Sequence, residues 1–132
     1  MGYQIEVAFD MRVVKSVTQI KSELVKKAEK NNCEMHYVTY ERDDYRARNH
    51  SVMTFIFPEK KEYIVNFIRF VREFKEARFE SISIDDVKST ILFASRKYLS
   101  MMAPQFVKRY KKSRHLLSQE HKSIVGELHK MH

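Results

Sequence analysis

An α+β fold is the prediction from the sequence: a ferredoxin-like βαββαβ sandwich in which two helices cover one face of an antiparallel sheet, with an extra strand and a basic C-terminal helical extension. Three observations lead there. Hydrophobic periodicity switches between two and three-to-four in the order strand, helix, strand, strand, helix, strand. The 132 residues, 43% hydrophobic and 32% charged, suit one domain that can bury a core without disulfides or metals. The last quarter of the chain is both amphipathic and strongly cationic.

Tyr3, Ile5, Val7 and Phe9 alternate with Gln4, Glu6, Ala8 and Asp10, the period of a strand with one buried face. From about Arg12 to Lys30 the apolar residues Val13, Val17, Ile20, Leu24 and Ala28 fall three or four apart, which predicts a helix. Asp10 is its candidate cap and Asn31-Asn32 its stop. Glu34 to Glu41 alternates again as a second strand, and the apolar, β-prone Ser51 to Phe57 is a third, ended by Pro58, which lacks a ladder donor. The polar stretch from Arg42 to His50 between them reads as a hairpin tip.

A Phe-rich stripe from Tyr63 to Phe74 predicts a second helix over about Glu59 to Lys75. Phe79 to Ile84 and Thr90 to Ser95 read as a fourth and a fifth strand around a turn at Asp85-Asp86. Val87, Ile91, Ala94 and Tyr98 also fit helical spacing, so residues 87–99 carry two readings. Residues 1–99 then form the body and residues 100–132 the basic helical segment of a single domain. That segment reads as one long helix or as two broken near Ser118.

Charge divides unevenly along the chain. Residues 1–95 hold 16 Lys or Arg against 15 Asp or Glu, whereas residues 96–132 hold 9 against 2, so nearly all of the net +8 lies at one end. Lys108-Arg109-Tyr110-Lys111-Lys112-Ser113-Arg114 is the densest run, and no acidic residue occurs between Asp86 and Glu120. At about 100° per residue, Phe106, Tyr110 and Leu117 point one way while Lys108, Lys111, Lys112 and His115 point nearly opposite, with Arg109 and Arg114 on the flanks. A helix of this kind docks through one side and presents a cationic ridge on the other.

Other chemistry finds little support. Two glycines are too few for phosphate-cradling loops, and no P-loop is present. The lone Cys33 cannot form an internal disulfide, which fits a reducing, intracellular compartment. No signal peptide opens the sequence, and its apolar runs fall short of the roughly 18 to 20 residues of a spanning helix. Cys33 and His36 sit at an odd spacing that sends them to opposite faces of a strand. His121, His129 and His132 could share a helical face, but solvated histidines account for them as well.

Asp10, at the end of the first strand and two residues before Arg12, resembles the metal-binding aspartate of Cas2-type ferredoxin-like nucleases. The resemblance covers about ten residues and implies a metal-dependent nuclease. The glycine-bearing second strand of that family is absent, and a helix cap explains Asp10 more simply. The expectation is therefore a non-enzymatic protein with no cofactor, no metal site and no small-molecule substrate.

The function expected is sequence-nonspecific binding to the backbone of DNA or RNA. The candidate contacts are Lys108, Arg109, Lys111, Lys112, Arg114 and His115, joined by Arg42, Arg46 and Arg48 on the hairpin tip. The third strand lacks the basic-Gly-aromatic signature of an RNA-recognition domain. The alternative is an assembly protein, a homodimer or part of a larger complex such as a viral particle. It would dock through Phe106, Tyr110, Leu117, Ile124 and Leu128. A membrane-surface role ranks third, since basic amphipathic helices also attract anionic lipid.

Overall fold

A computed structural model of the chain describes residues 2–10, 14–42, 50–84 and 87–131. The protein is α+β, with a five-stranded antiparallel sheet of β1 (Gly2–Asp10), β2 (Met35–Arg42), β3 (His50–Pro58), β4 (Ala77–Ile84) and β5 (Val87–Ala94) in the order β2-β3-β1-β4-β5. Helices α1 (Val14–Lys30) and α2 (Lys61–Val71) follow β1 and β3, and α3 (Arg96–Met101), α4 (Pro104–Ser113) and α5 (Gln119–Lys130) follow the sheet. The fifth strand extends the sheet beside β4, so the strand order differs from that of a plain four-stranded βαββαβ arrangement.

Local chemistry sets several boundaries. Asn32 ends α1 in the left-handed region at φ 58°, where the Cys33 amide reaches the Ala28 carbonyl at 2.9 Å and the Asn32 amide that of Glu29 at 3.1 Å. That double closure satisfies the last carbonyls of the helix, with Asn in the place usually held by Gly. The second helix is shorter than its apolar stripe. The Lys60 amide bonds the Pro58 carbonyl and Lys60 is held extended, so helix begins at Lys61, while Phe74 packs edge-on against Phe70 from the turn beyond. Asp10 closes β1, but residues 11–13, its side chain and the turn at residues 85–86 lie outside the described residues.

Residues 87–94 are strand and helix begins at Arg96, which resolves the double reading of 87–99. Pairing of β5 with β4 shifts between Phe93↔Ile82 and Ile91↔Ser83, a bulge that leaves Leu92 as the extra residue. Leu92 and Phe93 both join the main core, whereas Ile91 and Ala94 join a second cluster with Tyr98 and Tyr110. The bulge therefore spaces Ile91 and Ala94 three apart on one face, which mimics a helical stripe.

The main core lies between the sheet and α1, α2 and α5. Tyr3, Ile5, Val7 and Phe9 of β1 form its floor, with Leu24 of α1, Phe67 of α2, and Ile124 and Leu128 of α5 above them. Full burial of a side chain such as Leu128 stabilises by about 1.5–3 kcal/mol. The second cluster lies on the other face of the sheet: Ile91 and Ala94 pair with Ser83 and Ser81, while Phe93 pairs with the core residue Ile82. From β5 the chain thus runs over one face as α3 and α4, turns at residues 114–118, and returns to the opposite face as α5.

Candidate nucleic-acid interface

The cationic ridge rests on the docking of α4. Pro104 occupies the first turn, where its missing amide costs nothing. Tyr110 is buried against Ile91, Ala94 and Tyr98, and the half-buried Phe106 meets the Tyr98 ring edge-on at 5.4 Å. The short α3 supports this seat, capped by the Ser95 hydroxyl, which accepts from the Tyr98 amide at 3.2 Å. The Ser95 amide in turn donates to the Glu80 carbonyl of β4 at 2.9 Å. The start of the C-terminal segment is therefore tied to the sheet before any side chain packs.

With Tyr110 and Phe106 turned inward, the cationic side chains of α4 face water. Lys108, Arg109, Lys111 and Lys112 are exposed, as are Arg114 and His115 in the 3₁₀ turn Arg114–Leu116. The Arg114 guanidinium lies 5.8 Å from the centre of the Tyr110 ring, which directs one cation along the helix surface. Seven steps of chain separate Lys108 from His115, so the ridge is roughly 10 Å long and matches about three phosphates of one strand.

Arg96 and Lys97 of α3, in the same acid-free stretch of sequence, are exposed as well. They were not among the residues singled out from sequence. The absence of acidic residues from 87 to 119 was the signal that could have included them.

Of the second expected contact only the backbone of Arg42 is described. Arg42 ends β2, at the edge of the sheet opposite β5, about four strand spacings or roughly 19 Å from the strand that carries α4. The side chain of Arg42, and Arg46 and Arg48 altogether, lie outside the described residues.

The apolar stripe of the C-terminal segment turns inward. Phe106 and Tyr110 serve the second cluster, Leu117 packs against the main core, and Ile124 and Leu128 are fully buried within it. A surface for assembly would have to lie elsewhere than at these two residues. The imidazoles of α5 touch aromatic rings of the sheet: the half-buried His121 meets Tyr3 edge-on at 5.9 Å and the exposed His129 meets Phe93 at 5.3 Å. The Cys33 thiol donates to the carbonyls of Met35 at 3.0 Å and Ile56 at 3.3 Å.

Among the described residues no group of three or more His, Cys, Asp or Glu side chains is placed to hold a metal ion, and no helix is long and apolar enough to cross a membrane. A shallow cleft of about 410 Å³ lies where the first turns of α2 and α5 meet, lined by Glu59, Lys60, Lys61, Glu62, Glu120 and Ser123. Its lining carries charges of both signs, and Lys61 already donates to the Ser123 hydroxyl at 3.2 Å. No protein-family model, curated protein or solved structure matches the chain.

Proposed function

We propose that this is a non-enzymatic nucleic-acid-binding protein that grips the phosphate backbone through α4 and the turn after it, without reading sequence. The observation that carries this reading is the exposure of six basic residues, Lys108 to His115, on a helix whose opposite side is anchored by Tyr110. Each lysine brought to a phosphate releases counterion, so affinity should fall steeply with salt. About three phosphates at the ridge imply a slope of log affinity on log salt of roughly −3 on duplex. Arg96 and Lys97 would steepen it if they also reach the backbone.

The body that holds this ridge is best read as a ferredoxin-like unit with an added strand. Support comes from the order β2-β3-β1-β4 of the first four strands and from α1 and α2 packing into one core on the same face. Fluorescence anisotropy of labelled random-sequence duplex and single-stranded DNA and RNA, titrated at rising salt, tests the function. Combined Lys108→Glu, Lys111→Glu and Lys112→Glu should abolish binding while circular dichroism stays unchanged, because all three side chains are exposed. Absence of binding at low salt, or binding that survives the triple substitution, would sink the proposal.

A further inference from the structure

The two edges of the sheet are finished differently. Both faces of the sheet beside β5 are covered, by α3 and α4 on one and α5 on the other, whereas β2 is the outer strand at the far edge and among the described residues pairs with β3. An outer strand presents a row of backbone donors and acceptors, and proteins commonly guard it with lysine, proline or a bulge. Here the guard covers half the strand. The register of β2 with β3 shifts between Val38 and Glu41, and charged Glu41 and Arg42 follow, but Met35 to Val38 is regular and holds no lysine or proline. Met35 and Tyr37 in that regular half are the exposed large hydrophobic residues among the described ones, at 56% and 41%. They pair with Ile56 and Thr54, so both stand on the sheet face away from α1 and α2.

We infer that the regular half of β2 docks a second copy of this chain, antiparallel and centred on His36, to make one sheet continuous across a two-fold axis. This centring keeps the contact clear of the bulge. It sets Met35 of each copy opposite Tyr37 of the other, twice, so that both exposed pairs are covered at once.

Charge selects the same edge. Two chains of net +8 repel, and their positive charge is concentrated in the segment beside β5. Joining through β2 leaves those two segments nine strand spacings apart, roughly 40 Å along the sheet and several Debye lengths at physiological salt. The β2 edge itself carries both signs, with Glu34 and Glu41 against Arg42. A contact of one short strand buries less than the roughly 800 Å² per partner of a standard interface, so the dimer is weak and depends on concentration.

The full chain, free of nucleic acid, is examined by sedimentation equilibrium over a wide concentration range. The mass should rise from one chain toward two, and Met35→Lys with Tyr37→Lys should hold it at one chain throughout. The register is tested in a Cys33→Ser background. His36→Cys, self-opposed across the axis and within bridging distance, should oxidise to a disulfide-linked dimer, whereas Glu34→Cys should not. A single chain at every concentration, a dimer indifferent to the lysine pair, or cross-linking through Glu34→Cys in preference to His36→Cys would each overturn the inference. Circular dichroism confirms that each variant is folded, and none of these readouts depends on nucleic-acid binding.

Discussion

Tyr3 lies wholly inside the protein at the start of β1, and its hydroxyl has no hydrogen-bond partner among the described residues. Burial first, then the charges of Glu120 and Glu59, push its pKa up to about 12. The folded state thus holds this proton more tightly than the unfolded chain, whose phenol titrates near 10. Its contribution is complete below about pH 10 and is lost as pH rises toward 12. Tyr3→Phe should leave stability near neutral pH unchanged or raise it by about 1 kcal/mol, because an unpaired buried hydroxyl is removed. It should also flatten the alkaline loss, and urea unfolding at neutral and at alkaline pH measures both effects. Burial likewise raises the Cys33 thiol, so iodoacetamide should alkylate it more slowly than free cysteine under mildly alkaline conditions. The alternation in β1 already aims Tyr3 inward, but whether its hydroxyl finds a partner depends on α5 arriving from more than a hundred residues away. That information is not local to any stretch of sequence.

Bulges decide more than the strands they interrupt. The β1 register on β4 shifts between Glu6↔Ser81 and Val7↔Phe79, leaving Glu80 as the extra residue. Its carboxylate is fully buried, within 3.1 Å of the Arg78 guanidinium two residues earlier. Glu80→Ala removes the buried carboxylate beside a mostly buried cation and should destabilise the fold, by up to about 3–5 kcal/mol in chemical denaturation. Leu128→Ala in α5 should cost about 2–5 kcal/mol by leaving a cavity. Ser118→Ala should cost about 1 kcal/mol, since its hydroxyl accepts from the His121 amide at 3.2 Å and caps α5. Most elements were legible in the periodicity to within a few residues; the C-terminal segment read equally as one helix or two, and the structure divides it between Ser113 and Gln119. The strand at 87–94 was ambiguous because a bulge shifts the alternation by one, and nothing in the pattern of residues 87–99 alone announces it. Pairing with β4 does.

At the scale of the molecule, charge was legible and its geometry was not. Net charge is a sum over sequence, so the cationic C-terminal segment could be read directly, and the 3.6-residue period assigned Tyr110 and Lys108 to opposite sides of one helix. Strand order is not a sum, and it sets Arg42 at the far edge from α4. The same separation keeps binding and stability apart. Ridge substitutions should alter affinity without moving the melting temperature, whereas Leu128→Ala should lower the melting temperature and spare the ridge until the fold fails. The path of the chain around β5 has a further consequence for its birth on the ribosome. Synthesis runs from the N-terminus, so β4 and β5 emerge before the helices that cover them, and α5 emerges after α3 and α4. Until α5 emerges, the nascent chain carries the floor of its core uncovered. Its most vulnerable moment therefore falls between the translation of Ala94 and that of Leu128, when delay would favour aggregation over closure.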